Sequence, residues 1–456
     1  MRRSRRYAAP VPESDTTWPS RLPLLLLAFI IATIAVLPGL PFVVSVPATV
    51  CLLWTLRQMW SASVEPAVSL VMAVGAAVAP AAIAAVVLPA VVLDDGQWIA
   101  SVLGVLAIAS GLASASRPRL FLGHLAVVAA LHLYYVSSAR PLIDVGFFVR
   151  GSTRGLLDGV NPYALTFPNP YNASETASFY APQFVDGDRI LLGFPYLPGA
   201  VVAYLPGSLL SDVRYVSVAA ILVTTWLAWR LATDRVGRLL VAAMPVTPLS
   251  LLTTTCYWVE PLLALGVALL ATSMARRSRS WGVVSLLLLL SVKQYAIVWL
   301  PLERLVRRRL GWSVLALAVA LSAVVVVGFF LWDPDRFWLS VVQAQFSQPY
   351  RPDSVSLAVD LVNAGLPVPS VALSIGSLAS GLLVALWVRV KAPTSTTWTV
   401  LGLALSFLAT VLMSKQAFAN YYFFIHVCIV IGIAAWPADS RRPAAVDVEA
   451  REDAHG

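Results

Sequence analysis

Long apolar runs recur along this chain, separated by short polar breaks and by two much longer ones. With about 20 apolar residues as the length that crosses a bilayer, the first runs lie near 22–37, 40–56, 66–93, 98–115 and 120–136. After a polar gap come 213–231, 239–254, 259–275, 281–300, 310–332, 370–388, 398–413 and 418–436. The pattern is helix and loop throughout. A further apolar stretch, 194–210, is interrupted by Pro195, Pro198 and Pro206. Because proline removes a ladder donor and bends a helix, this stretch is expected to lie kinked at the membrane interface.

Charge then sets the expected orientation. Arginines cluster at run ends, and the positive-inside rule places Arg57, Arg117, Arg119, Arg230, Arg235, Arg238, Arg389 and Lys391 on the cytoplasmic side. Asp94 and Asp95 fall outside, as do Arg140 and Asp144. The run 281–300 breaks this parity, since Arg276-Arg277-Ser-Arg279 precedes it and Arg307-Arg-Arg309 follows it. A re-entrant hairpin reversing near 291–294 keeps both clusters inside, whereas a single crossing would place the second one outside. Irregular backbone at that depth requires cover by protein or a wet cavity. The expected fold is therefore all-α and polytopic, with about 12 transmembrane helices, the hairpin and outer juxtamembrane helices.

Composition agrees with a membrane protein: 59% of the 456 residues are hydrophobic and 12% charged, far from soluble averages. The net charge of +9 comes from run-end arginines, so nucleic acid is not an expected partner. Cys51, Cys256 and Cys428 each stand alone, in a spacing that suits neither a metal site nor a disulfide framework. Lysine occurs only at Lys293, Lys391 and Lys415, a bias expected of GC-rich coding and so of a bacterium. Residues 1–21 and 437–456 read as disordered cytoplasmic tails. Between them, 22–116 forms an N-terminal four-helix extension, and 117–436 the main membrane domain with outer loops 137–212 and 333–369.

Candidate chemistry gathers in those loops. Asp144 is a carboxylate at the outer end of an apolar run, a costly position that suggests a task; a capped interfacial helix is the plainer explanation. If 144–157 is helical, Arg150 and Arg154 share a face at i, i+4, and paired arginines suit a phosphate. Glu260 stands in Tyr257-Trp-Val-Glu-Pro261, either to meet sugar hydroxyls or Arg351, or as a first-turn acid favoured by the helix dipole. Gln343-Ala-Gln345 and Gln348-Pro-Tyr-Arg-Pro-Asp353 offer amides, aromatics and a charge pair. Lys293, at a hairpin tip, would be deep in the membrane and wants an anionic partner. Lys415 either binds an anion or snorkels beside Tyr421 and Tyr422. Asp186 and Asp188 are weak evidence for a metal, and His124, His132 and His426 read as packed side chains.

Several of these segments occur in a familiar order. An aspartate just after a helix, then Gly159-Val-Asn-Pro-Tyr163, then Tyr196-Leu-Pro198 leading into an interfacial helix, resembles the GT-C superfamily of polyprenyl-phosphate-sugar-dependent glycosyltransferases, most closely its bacterial mannosyltransferase-like branch. Ser291-Val-Lys-Gln-Tyr295 before Trp299-Leu-Pro301 is similar to that branch's lysine element, and Ser414-Lys-Gln-Ala-Phe-Ala-Asn-Tyr-Tyr422 resembles its late outer motif. The departure is at the N-terminus, where about four extra helices precede the aspartate loop; their even number leaves the loop facing outward.

The resemblance implies transfer of a sugar, most simply mannose, from a polyprenyl-phosphate donor to a glycan or glycolipid acceptor of the cell envelope. The reaction would run on the outer side of a bacterial cytoplasmic membrane, among membrane lipid. Asp144 would be the base that takes the acceptor proton. Arg150, Arg351, Lys415 and Lys293 would bind the donor phosphate, and Tyr163, Tyr196, Glu260, Gln345 and Asn420 would shape the pocket. No cofactor is expected, and dependence on a divalent metal stays open. The competing reading is a transporter or flippase of a lipid-linked sugar; a further one is a scaffold that keeps the fold without activity.

Overall fold

The computed structural model describes residues 22–33, 42–61, 70–366 and 368–440. The expected tail 1–21 and residues 441–456 of the other lie outside the described residues. Residues 437–440, expected in that second tail, instead complete the helix Ala419–Ser440.

Helices dominate, as the apolar runs require, but they meet the criteria for a membrane crossing less often than expected. Among the described residues six are long and apolar enough: Gln97–Ser116, Pro118–Ser138, Arg235–Thr255, Trp312–Trp332, Ser370–Lys391 and Ala419–Trp436. A seventh arises if Pro198–Leu209 and Arg214–Leu231, bent by 107°, count as one span. Length accounts for part of the shortfall against twelve. Leu22–Ala32, Met72–Val86 and Thr396–Leu412 are apolar but only 10–17 residues long, as is Arg279–Ser291, which was expected as a hairpin limb and not as a span. Burial sorts the long ones: Ala419–Trp436 is 89% buried within the protein, Trp312–Trp332 only 17%. The first is a central column and the second a peripheral helix with most of its apolar surface turned outward.

The chain does reverse near 291–294. Helix Arg279–Ser291 ends at a break over 292–295, and the chain continues through Ala296–Trp299 and Glu303–Leu310. A methyl group on Gly282 would lie 2.9 Å from the Leu310 side chain and 3.1 Å from that of Val314. The beginning of the first limb and the end of the second therefore sit side by side, and both arginine clusters share one end. At that end Arg309 donates to the Thr394 carbonyl at 3.3 Å, and Glu303 accepts from Arg307 and approaches Arg389 at 3.7 Å.

The N-terminal helices are not a separate unit. Leu22–Thr33 packs on Ala419–Ser440, and Leu70–Val86 on Arg235–Ala243. Buried histidines are packed side chains. Two join the parts: His426 contacts the Ala28 carbonyl at 3.2 Å and His124 the Ser110 hydroxyl at 2.9 Å, while His124 also contacts the Ala242 carbonyl at 3.0 Å and His132 that of Pro245 at 2.8 Å.

At the opposite end of the bundle, the loop between Ser138 and Pro198 folds over the helix ends. It contains Asp144–Leu157, Ala173–Phe179 and a three-stranded antiparallel sheet that an all-α expectation omits. Its strands are two residues each: Arg189–Ile190 is central, with Phe167–Pro168 and Val185–Asp186 beside it. Pro198–Leu209 follows, and the 107° bend falls between it and Arg214–Leu231.

Candidate functional site

Asp144 begins the helix Asp144–Leu157 after the extended residue Ile143, a position where helix polarity favours a negative charge. The side chain is half-buried and held on both oxygens. Its Oδ1 accepts from the Val145 N–H at 2.7 Å, and Oδ2 accepts from the Tyr180 hydroxyl. The Asp144 N–H itself points to the Tyr171 hydroxyl at 3.4 Å. Burial, and then the neighbouring Asp144 charge, push the Tyr180 phenol well above its ordinary value. Tyr180 is therefore a protonated donor.

From Asp144 the contacts continue to the cations. The Tyr171 ring meets Phe179 edge-on at 4.6 Å, and the Arg351 guanidinium lies 3.3 Å from the Phe179 centroid. Arg351 makes a two-pronged pair with Asp353, at 2.8 and 2.7 Å. This is the charge pair visible in the loop sequence, and it leaves Arg351 without the Glu260 contact considered above. The Arg351 N–H donates to the Lys415 carbonyl at 3.0 Å, and Val355 to that of Ala417 at 2.8 Å, so residues 351–355 and 415–417 run together. Lys415 donates to the Phe346 carbonyl at 2.8 Å, and burial lowers its ammonium to about 8. No carboxylate pairs with it among the described residues.

A second cluster lies behind Tyr196. Lys293 stands at the hairpin tip, is 4% exposed and reaches Glu260 Oε1 at 2.5 Å. The expected anionic partner is thus Glu260, on the first turn of Glu260–Arg276. Tyr295 and Asn420 donate to the same oxygen at 3.1 and 2.8 Å. The Lys293 ammonium is 4.7 Å from the ring centres of Tyr196, Tyr295 and Tyr421. Glu260 Oε2 and Asn420 Oδ1 are buried without a hydrogen-bond partner. Tyr196 stands between the clusters: burial, and then charges that include Glu260 and Asp144, push its phenol well above the ordinary value. Gln294 secures the tip by donating to the Pro195 and Val341 carbonyls at 3.0 and 3.2 Å.

The comparisons with known proteins give no match: no family model, no curated protein and no solved structure matches this chain. The residues themselves therefore carry the functional argument.

Several expected roles change. Lys293, expected on a donor phosphate, is buried and neutralised within the protein. Tyr163, expected to line a pocket, is 1% exposed; it packs on Phe194, Phe329 and Phe337 and donates to the Tyr196 carbonyl at 2.9 Å. It supports Tyr196 from behind. Gln345 is exposed, with only a 3.5 Å contact to the Pro195 carbonyl. The Arg150 guanidinium lies over Tyr257 and has no contact with Asp144, Arg351 or Lys415 among the described residues, and Arg154 pairs at 3.6 Å with Asp158 rather than acting beside it. Tyr171 and Tyr180 were not singled out by sequence reasoning; the aromatic richness of the loop was the available signal. Among the described residues no three His, Cys, Asp or Glu side chains gather as a metal group.

Chemically, the assembly offers a half-buried carboxylate held by a phenol, next to an aromatic surface that leads to a lysine and an arginine. A carboxylate so held can take a proton from a hydroxyl, and the cations can stabilise a departing anion. The two described depressions lie elsewhere. One is an apolar crevice near Ala77, Ala107 and Ala242, and the other borders Arg150.

Proposed function

We propose that this membrane protein is a glycosyltransferase that moves a sugar, most simply mannose, from a polyprenyl phosphate to a cell-envelope glycan or glycolipid. The proposal includes a GT-C-like fold with about 12 crossings, in which the shorter apolar helices also span, with local thinning of the bilayer around them. It places the Asp144 end on the outer side of the cytoplasmic membrane. The observation that carries the reading is the contact path from Asp144 through Tyr171 and Phe179 to Arg351 and Lys415. One end of it suits an acceptor hydroxyl, and the other a lipid-linked phosphate.

In this mechanism Asp144 accepts the acceptor proton as the new glycosidic bond forms at the sugar carbon. The bond from that carbon to the phosphate oxygen breaks, and the polyprenyl phosphate leaves with the electron pair. Lys415 meets that charge, with Arg351 beside it. The Tyr180 hydroxyl must yield part of its hold on Oδ2 for the acceptor to approach. The Lys293–Glu260 pair, out of reach of solvent, keeps the hairpin tip and Tyr196 in place.

The test is transfer of labelled mannose from polyprenyl-phosphomannose to a membrane glycolipid extract, by purified protein in lipid, wild type against Asp144→Asn. Transfer that vanishes in Asp144→Asn while donor binding persists is the expected result. Equal transfer by both removes Asp144 as base. Passage of the lipid-linked sugar across the bilayer without transfer would instead favour the flippase.

A further inference from the structure

Arg150 and Arg189 stand beside one depression that the reaction described above does not use. The depression, of about 510 Å³ and lined in part by Phe147, Arg150, Leu165, Thr166 and Phe167, is within the size range of small-molecule sites. Arg150 is exposed, and among the described residues its side chain makes one hydrogen bond, from Nε to the Gly146 carbonyl at 3.1 Å. Arg189, also exposed, reaches Thr166 with Nη2, donating to its carbonyl at 3.1 Å and to its hydroxyl. Acids are nearby in sequence: Asp158 on the same helix, and Asp186 and Asp188 on the sheet hairpin. Among the described residues, none lies within ion-pair distance of either arginine.

The position is a membrane boundary. Arg150 lies over the ring of Tyr257, at 5.1 Å, and Arg214 lies over the same ring at 4.6 Å. Arg214 in turn donates to the Ala139 carbonyl at 3.1 Å, one residue beyond the membrane-length helix Pro118–Ser138. Exposed apolar side chains, Leu142 and Leu157, flank the same helix as Arg150. Packing gives the depression its apolar lining: a methyl group on Gly151 would lie 2.7 Å from the Phe167 ring, so only glycine lets that ring rest on the helix.

We propose that this depression binds the headgroup of an anionic phospholipid, with Arg150 and Arg189 on the phosphodiester and Phe147, Leu165 and Phe167 against its glycerol and upper acyl carbons. Guanidinium forks match phosphate oxygens, and basic groups at a bilayer surface select anionic lipid. A free phosphate would gain nothing from the apolar lining, whereas a lipid uses both. The site would fix the height of the Asp144–Leu157 helix relative to the bilayer. It stands independently of the transferase reading, since neither arginine has a role in that mechanism.

The experiment uses the full chain, delipidated in neutral detergent and examined by native mass spectrometry with equal amounts of dioleoylphosphatidylglycerol and dioleoylphosphatidylcholine. Wild type retains phosphatidylglycerol in preference. Arg150→Gln combined with Arg189→Gln weakens that retention about twenty-fivefold, from about a fivefold effect for each surface arginine, while Arg154→Gln leaves it unchanged. A double Lys variant at the two positions, which keeps the charge, retains most of the binding and guards against misfolding. Equal retention of phosphatidylcholine, an undiminished double Gln variant, or inorganic phosphate displacing the lipid at equal concentration would each overturn the proposal.

Discussion

The Lys293–Glu260 pair gives the sharpest quantitative test of the architecture. Its N–O distance is 2.5 Å, with side chains 5% and 0% exposed. At an effective dielectric of about 20, the attraction at that distance is about 7 kcal/mol, set against a desolvation cost of several kcal/mol for each ion. Removing one partner leaves a buried charge alone, so Lys293→Met or Glu260→Gln should each cost ~3–5 kcal/mol. The double variant should be more stable than either single one. Gln at 260 still offers an acceptor to Tyr295 and Asn420, and no charge is left behind. The assay is equilibrium SDS titration in mixed micelles, followed by tryptophan fluorescence, with a double-mutant cycle for the coupling. Two additive single costs would refute the pairing, and a Lys293→Met protein within ~0.5 kcal/mol of wild type, the range of a surface change, would refute its burial.

Four more expectations follow from the same geometry. Burial lowers Lys415 to about 8 from an ordinary 10.5, so between those values the unfolded chain holds more protons, and stability should rise with pH across that window; Lys415→Met should flatten the rise in pH-dependent unfolding. If Lys415 meets a phosphate, donor binding should weaken as pH rises through about 8, as read by titration with polyprenyl phosphate. Tyr180→Phe removes the hydroxyl from Asp144 Oδ2 and should cost ~1.5–3 kcal/mol, typical of a hydrogen bond to a charged group; the loss should shrink in an Asp144→Asn background. Gly199→Ala places a methyl group 2.2 Å from the Ser291 hydroxyl and 2.6 Å from its carbonyl oxygen. It should lower stability by ~1–3 kcal/mol, and Ser291→Ala should not rescue it, because the carbonyl remains.

The parts legible in the sequence are those in which charge conflicts with hydrophobicity. The hairpin could be read because arginines bracket both ends of one apolar run and Lys293 falls in its middle. Asp144 could be read because an acid borders a span, and the Arg351–Asp353 pair because its members are two residues apart. The Glu260 partnership could not, since the choice among acids for Lys293 depends on which helix start lies over the hairpin tip. Tyr171 and Tyr180 gave no signal of their own: they lie in irregular loop, where no period marks the face a side chain takes. The sheet was missed because two-residue strands carry no alternation. Fewer than twelve helices reach crossing length among the described residues because apolar runs read at full length in the sequence fold as shorter helices, such as Leu22–Ala32, Met72–Val86 and Thr396–Leu412.

Sorting the cations at the Asp144 end by partner narrows the mechanism further. Arg214 is held by Asp212 at 2.7 Å, Lys293 by Glu260 and Arg351 by Asp353. A paired cation can take up a phosphate only by giving up or sharing its carboxylate. For Lys293 that exchange would strand a buried charge, whereas Asp353 is 58% exposed and can return to water at little cost. Lys415 needs no exchange, because among the described residues its side chain is partnered by a neutral carbonyl alone. An anion arriving on the Asp144 side should therefore meet Lys415 first and Arg351 second. A donor-binding defect that is large in Lys415→Met, smaller in Arg351→Gln and absent in Arg154→Gln would follow from that order. The reverse order would mean that the anion enters from a different side of the loop.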